Sequence, residues 1–185
     1  MNVPNIISSF RILAAPVMWW LLYIGNKEAF VWLLTAAFFS DAIDGFIARA
    51  LNQVSKLGSM LDSYGDSLTI LSGLAGIVRF RYDLVEQHIV VMFVVIGLHI
   101  IQLLLSLWRY GKPSSFHTFS SKIAAIAIGV FILVTFHYAF LFWLFVITIA
   151  ALILDAIEES ILVFYMPEWN TDVKGLYWVL KKKGK

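Results

Sequence analysis

Six apolar runs, each long enough to cross a bilayer and joined only by short polar links, fill most of this 185-residue chain. They fall at 5–24, 29–50, 58–79, 86–108, 117–137 and 140–165. A helix needs about 20 apolar residues to span the hydrocarbon of a membrane. Backbone polar groups in lipid must be satisfied within the segment, which leaves the helix as the solution for runs of this length. Composition agrees, with 61% hydrophobic residues and a mean hydropathy of +0.84. The expected fold is all-α: a polytopic membrane protein of six transmembrane helices in one domain, 1–185. The start, MNVPNIISSFRILAAP, has no basic segment before its apolar stretch and no A-x-A-type site after it. It is read as the first span and not as a cleaved signal.

Lys and Arg fix the expected orientation. With the amino terminus inside, the inner side carries Arg11, Arg49, Lys56, Arg109, Lys112, Lys122, Lys174, Lys181, Lys182, Lys183 and Lys185, and the outer side only Lys27, Arg79 and Arg81. Eleven against three predicts both termini in the cytoplasm. The tail KKKGK reads as a contact with anionic membrane lipid; one short basic run is no patch for nucleic acid. Most of the tryptophans fall near span ends, where they anchor or pack.

Against this apolar background, the segment Asp41–Asp66, DAIDGFIARALNQVSKLGSMLDSYGD, carries four aspartates. Carboxylates near membrane depth are costly and mark function. Asp41 and Asp44 are three apart, Asp62 and Asp66 four apart, so each pair shares one face of its helix. Residues 50–57 suffice for a turn, and the two helices then lie antiparallel with four carboxylates converging. Such a cluster needs cations, and an all-carboxylate shell suits Mg²⁺ or Mn²⁺. There is no Cys and no close His pair to favour zinc. Gly45 and Ala48 leave room for a ligand or a second helix to approach the backbone. Arg49 beside bound divalent ions points to a phosphate-bearing substrate.

The spacing Asp-x2-Asp-Gly-x2-Ala-Arg-x8-Gly-x3-Asp-x3-Asp resembles the signature of the CDP-alcohol phosphatidyltransferases, matched here by Asp41, Asp44, Gly45, Ala48, Arg49, Gly58, Asp62 and Asp66. The resemblance implies transfer of a phosphate-containing group from a CDP-linked donor to an alcohol, with CMP released. In most bacterial members the donor is CDP-diacylglycerol. It implies two divalent ions, Mg²⁺ or Mn²⁺, held by Asp41, Asp44 and Asp62, with Asp66 beside the second ion as general base. Asp41, Asp44, Gly45, Ala48, Arg49, Gly58 and Asp62 would line the CDP site. Relatives are often homodimers. The expected location is a bacterial inner membrane, with the site facing the cytoplasm.

Other positions carry weaker signals. The start PNIISSFR resembles the opening of phosphatidylglycerophosphate and cardiolipin synthase branches; Arg11 there either serves the site or snorkels to headgroups. His117, Thr118, Lys122 and Arg109 are candidate acceptor-binding residues, with Ser114 or Ser115 as the alternative role of a helix cap. Asp155 is expected to be paired, while Glu158 and Glu159 read as a solvated helix end. His99 and Gln102 are expected to form interhelical hydrogen bonds.

The acceptor is less constrained. Glycerophosphate-using relatives often carry Lys directly after the last aspartate, and inositol-phosphate relatives Arg; here the residue is Ser67. PNIISSFR favours glycerol-3-phosphate, with serine, inositol or inositol phosphate as alternatives, and a CDP-choline or CDP-ethanolamine type of transfer beyond those. A divalent-cation transporter would spread its acids over several spans. Clustering on two adjacent helices with an Arg alongside argues against transport, and an intact motif argues against a non-catalytic scaffold.

Overall fold

The computed structural model describes residues 3–50, 56–113, 118–166, 173 and 175–183. Among these, all regular structure is helical: α1 Val3–Ile24, α2 Lys27–Ala50, α3 Lys56–Phe80, α4 Tyr82–Tyr110, α5 Phe119–His137, α6 Phe142–Tyr165 and α7 Leu176–Lys183. The first four apolar runs lie wholly inside α1 to α4, while α5 and α6 start two residues later than their runs. The predicted start of the fourth run, at 86, falls near a real break: His88 leaves helical geometry (φ −121°, ψ 19°) within α4. The short α7 was not anticipated, because eight residues ending in three lysines carry too little apolar signal. α4 and α5 are long and apolar enough to cross a membrane by length and composition, and Ser9–Ile24 is a shorter apolar helix. The sequences of α2, α3 and α6 carry carboxylates within their apolar lengths.

The chain divides into two compact units. The first comprises Met1–Glu86 with Phe136–Tyr138. In it α1 packs against both α2 and α3. From α1, Ala14, Ala15, Met18, Leu21 and Leu22 are buried, and from α2, Phe30, Val31, Leu34 and Ala37. Both sets follow the spacing of one helical face. The facing stripe of α3 is made of small residues: Gly65, Thr69, Ser72, Gly73 and Gly76 are buried. The Thr69 and Ser72 hydroxyls donate to the carbonyls of Gly65 (2.8 Å) and Leu68 (2.7 Å), so the stripe holds no unmet donor there. Trp19 Nε1 of α1 donates to Ser72 Oγ at 3.1 Å.

The turn between α1 and α2 is two residues long. Gly25 takes φ +76°, the left-handed form that ends helices. Asn26 Oδ1 accepts from Ala29 N at 3.1 Å and caps α2. The Phe30 ring lies over Gly76 and packs on Phe80 and Phe136, with centroids 5.7 and 5.9 Å away. With Phe30 beside the far end of α3, Asp41 returns beside its start, so α2 and α3 run antiparallel as the sequence spacing requires.

The second unit comprises Gln87–Thr135 and Ala139–Lys185. Thr118 opens α5: its buried Oγ1 accepts from Ser121 N at 3.1 Å. His88, Phe131, Phe140 and Phe145 form an aromatic cluster, with His88 and Phe145 centroids 4.6 Å apart. Tyr110 OH lies 3.0 and 2.9 Å from the carbonyls of Val163 and Met166, beside a core of Leu162, Val163 and Val173.

Candidate active site

The site grows out of the packing stripes of the first unit. Asp41 stands one turn beyond buried Ala37 on α2, Asp62 and Asp66 flank buried Gly65 on α3, and Arg11 stands one turn before Ala15 on α1. Three helix faces that bury apolar and small residues along their length therefore end together in charged groups. Oxygens of Asp41, Asp62 and Asp66 come within 4.8 Å of one another.

Arg11 holds the three together. Nη1 donates to Asp41 Oδ1 at 2.7 Å and also to Asp66 Oδ1, while Nη2 donates to Asp62 Oδ1 at 2.5 Å. The Arg11 side chain is 0% exposed, whereas the carboxylates keep 45%, 44% and 43% exposure. The cation is thus covered by protein and the anions face outward. Gly65 eases the close approach: a Cβ there would stand 3.3 Å from Arg11 Cβ and 3.4 Å from Cζ and Nε. The Arg11 side chain passes α3 at Gly65, the one residue there without a side chain.

Snorkelling of Arg11 to headgroups is therefore overturned. A guanidinium has five donors in a planar fork, and three nearby carboxylates satisfy it better than a single headgroup. Sequence reading left Arg11 undecided and passed over Gly65. The signal for both was the register: Arg11 continues the buried spacing of Ala15 and Met18, and Gly65 that of Thr69 and Ser72.

Three carboxylates and one guanidinium leave a net charge of −2 among these four groups. Hard oxygen donors, half exposed and this close together, fit a divalent ion such as Mg²⁺ or Mn²⁺, across which octahedral ligands stand roughly 4 Å apart. The chemistry of the donor set and its unneutralised charge both suit such an ion. Asp44, Gly45, Ala48 and Arg49 lie on α2, but their side chains fall outside the described residues. Gly58 lies on α3 one turn before Asp62.

The acceptor candidates lie in the second unit. Lys122 is exposed, and Thr118 is buried with its hydroxyl used in the cap of α5. Arg109 is exposed, donates to the Met166 carbonyl at 3.3 Å and lies over the Tyr110 ring. His117 and the alternative caps Ser114 and Ser115 lie outside the described residues. The reading of Glu158 and Glu159 as a solvated helix end is corrected: Ser120 Oγ donates to Glu158, Leu176 N donates to Glu158 Oε1 at 2.8 Å, and Gln102 Nε2 donates to Glu159 at 2.6 Å. α7 and the polar start of α5 cover that end of α6, which the apolar pattern did not foretell. Asp155 has Ser120 Oγ at 3.4 Å. Gln102 thus makes its interhelical bond, whereas His99 Nδ1 pairs with the Val95 carbonyl of its own helix at 2.9 Å.

The family model for CDP-alcohol phosphatidyltransferase matches residues 1–157. A cardiolipin synthase (CMP-forming) of Streptomyces coelicolor is 37% identical over 83 residues, 42% of this chain and 39% of that protein. A CDP-diacylglycerol–inositol 3-phosphatidyltransferase of Saccharomyces cerevisiae is 34% identical over 98 residues, 53% of this chain and 42% of that protein. A CDP-diacylglycerol–glycerol-3-phosphate 3-phosphatidyltransferase of Aquifex aeolicus is 30% identical over 100 residues, 52% of this chain and 53% of that protein. The chain spans about half or less of the length of these curated relatives. No solved structure matches it. With the aspartate spacing, the converging carboxylates and a model match over most of its length, the chain belongs to the CDP-alcohol phosphatidyltransferase family.

Proposed function

We propose that this protein transfers a phosphatidyl group from CDP-diacylglycerol to a small alcohol and releases CMP. The observation that carries the reading is the convergence of Asp41, Asp62 and Asp66 in a chain of this family. Asp41, Asp44, Asp62 and Asp66 would hold two divalent ions, whose chemistry when bound is to neutralise the donor's pyrophosphate and the charge of departing CMP. Gly45, Ala48, Arg49 and Gly58 would border the cytidine end. Asp66 takes the proton of the acceptor hydroxyl as that oxygen attacks the β-phosphorus. The new oxygen–phosphorus bond forms, the bond to CMP breaks, and the proton rests on the carboxylate. The half exposure of Asp66 leaves it reachable by an acceptor.

Glycerol-3-phosphate is the favoured acceptor. The PNIISSFR start supports it, as do several relatives whose names specify it. Lys122, Arg109 and His117 remain the candidates for holding its phosphate, whereas Thr118, buried and engaged in the cap of α5, does not. Relatives named for inositol and for cardiolipin keep those acceptors as the second reading. The reading includes a single membrane domain over 1–185 with six spans, both termini in the cytoplasm, a homodimer and a bacterial inner membrane. The Lys and Arg distribution supports the orientation.

The test is CMP release by the purified protein in lipid micelles, with CDP-diacylglycerol, Mg²⁺ or Mn²⁺, and a panel of glycerol-3-phosphate, serine, inositol and inositol phosphate. Acceptor-dependent CMP that disappears in Asp66→Asn and with EDTA supports the reading and names the acceptor. A folded, metal-binding protein that releases no CMP with any of them refutes it.

A further inference from the structure

Arg11 and a divalent ion have claims on the same three carboxylates. The guanidinium donates to one oxygen of each of Asp41, Asp62 and Asp66, and these are the residues whose oxygens come within 4.8 Å of one another. A dication among them would stand almost against a monocation that protein covers completely. Like charges at that separation, shielded from water on one side, repel strongly.

We propose that Arg11 is a resident counter-ion, exchanged for divalent metal when the site is loaded, and that its release couples metal binding to binding of the anionic CDP group. Without metal, the guanidinium cancels part of the carboxylate charge and keeps α1, α2 and α3 together at this end. With metal, the carboxylates turn to the ion and the guanidinium needs another anion. Phosphate oxygens are the natural partner for its planar fork. Metal and nucleotide then favour each other's binding, and by linkage the effect is reciprocal. Gly65 supports the exchange by leaving the side chain room along α3. The inference rests on the metal-binding reading given above.

The experiment measures Mn²⁺ binding to the full chain in detergent micelles by the electron spin resonance of free Mn²⁺, with and without CDP, for wild type, Arg11→Gln, Arg11→Lys and Asp41→Asn. The expected result is that Arg11→Gln binds Mn²⁺ at least about tenfold more tightly than wild type without CDP, since a competing cation has gone. Arg11→Lys, which keeps the charge, stays within a few-fold of wild type. CDP tightens Mn²⁺ binding more in wild type than in Arg11→Gln. Equal or weaker binding by Arg11→Gln would overturn the proposal and make Arg11 a scaffold that arranges the ligands. Wild type that binds no Mn²⁺ would overturn the metal reading itself, a different result from the first.

A measurement on wild type covers the case in which Arg11→Gln does not fold. The ¹⁵N guanidinium resonances of Arg11 are expected to show hindered rotation in EDTA and to lose it as Mg²⁺ is added. Resonances unchanged at saturating Mg²⁺ would overturn the exchange.

Discussion

Gly76→Ala tests the packing that holds α2 against α3. A Cβ at this position would stand 2.5 Å from Phe30 Cε1, 2.6 Å from Phe30 Cζ and 3.1 Å from Phe136 Cζ. Carbon atoms pack best at about 3.5–4.0 Å, so the ring must retreat by about 1 Å. Phe30 is fully buried and packs on Phe80 and Phe136, so it has little room to yield. Overpacking costs about 1–3 kcal/mol, and an overlap this large belongs at the upper end. The helix gains about 1 kcal/mol from replacing Gly by Ala. The expected net loss is about 2 kcal/mol. The assay is reversible denaturation by SDS in mixed micelles. Gly97→Ala is the matched control, because nothing beyond its chain neighbours and its own helical backbone lies within 4 Å of the added Cβ; it is expected to be neutral or to stabilise by up to about 1 kcal/mol. A Gly76→Ala protein as stable as Gly97→Ala would refute the close approach of Phe30 to α3.

Three further outcomes are expected. Thr118→Ala removes the acceptor that meets Ser121 N at the start of α5; it costs about 1 kcal/mol in the same denaturation assay. Gly175→Ala places a Cβ 2.9 Å from Glu158 Oε1 at a φ of +143°. It should loosen α7, seen as faster protease cleavage near 173–176, while the rest of the chain unfolds as before, because a local strain of about 1–3 kcal/mol falls on one short helix. Asp66→Asn should reduce CMP release by at least about a hundredfold, the lower range of what a positioned general base contributes.

Much of the site was legible in the chain itself. The spacings of Asp41, Asp44, Asp62 and Asp66 put each pair on one helix face, which helical geometry alone dictates, and the short link between the runs turns the second helix back antiparallel to the first. Apolar run lengths gave the six long helices to within a few residues. The fate of Arg11 was not legible, because a cation at a helix start has two partners of equal merit, headgroups and carboxylates. Only the packing of α1 along the small-residue stripe of α3 decides between them. Glu158 and Glu159 were misread for the same reason: a carboxylate at a helix end is solvated unless another element covers it, and the elements that do so, α5 and α7 for Glu158 and α4 for Glu159, are brought there by the fold. Local periodicity sets what a helix is and which residues share its face. Which face meets which, and therefore which charges share a site, depends on contacts between residues far apart in sequence, and those only the tertiary structure decides.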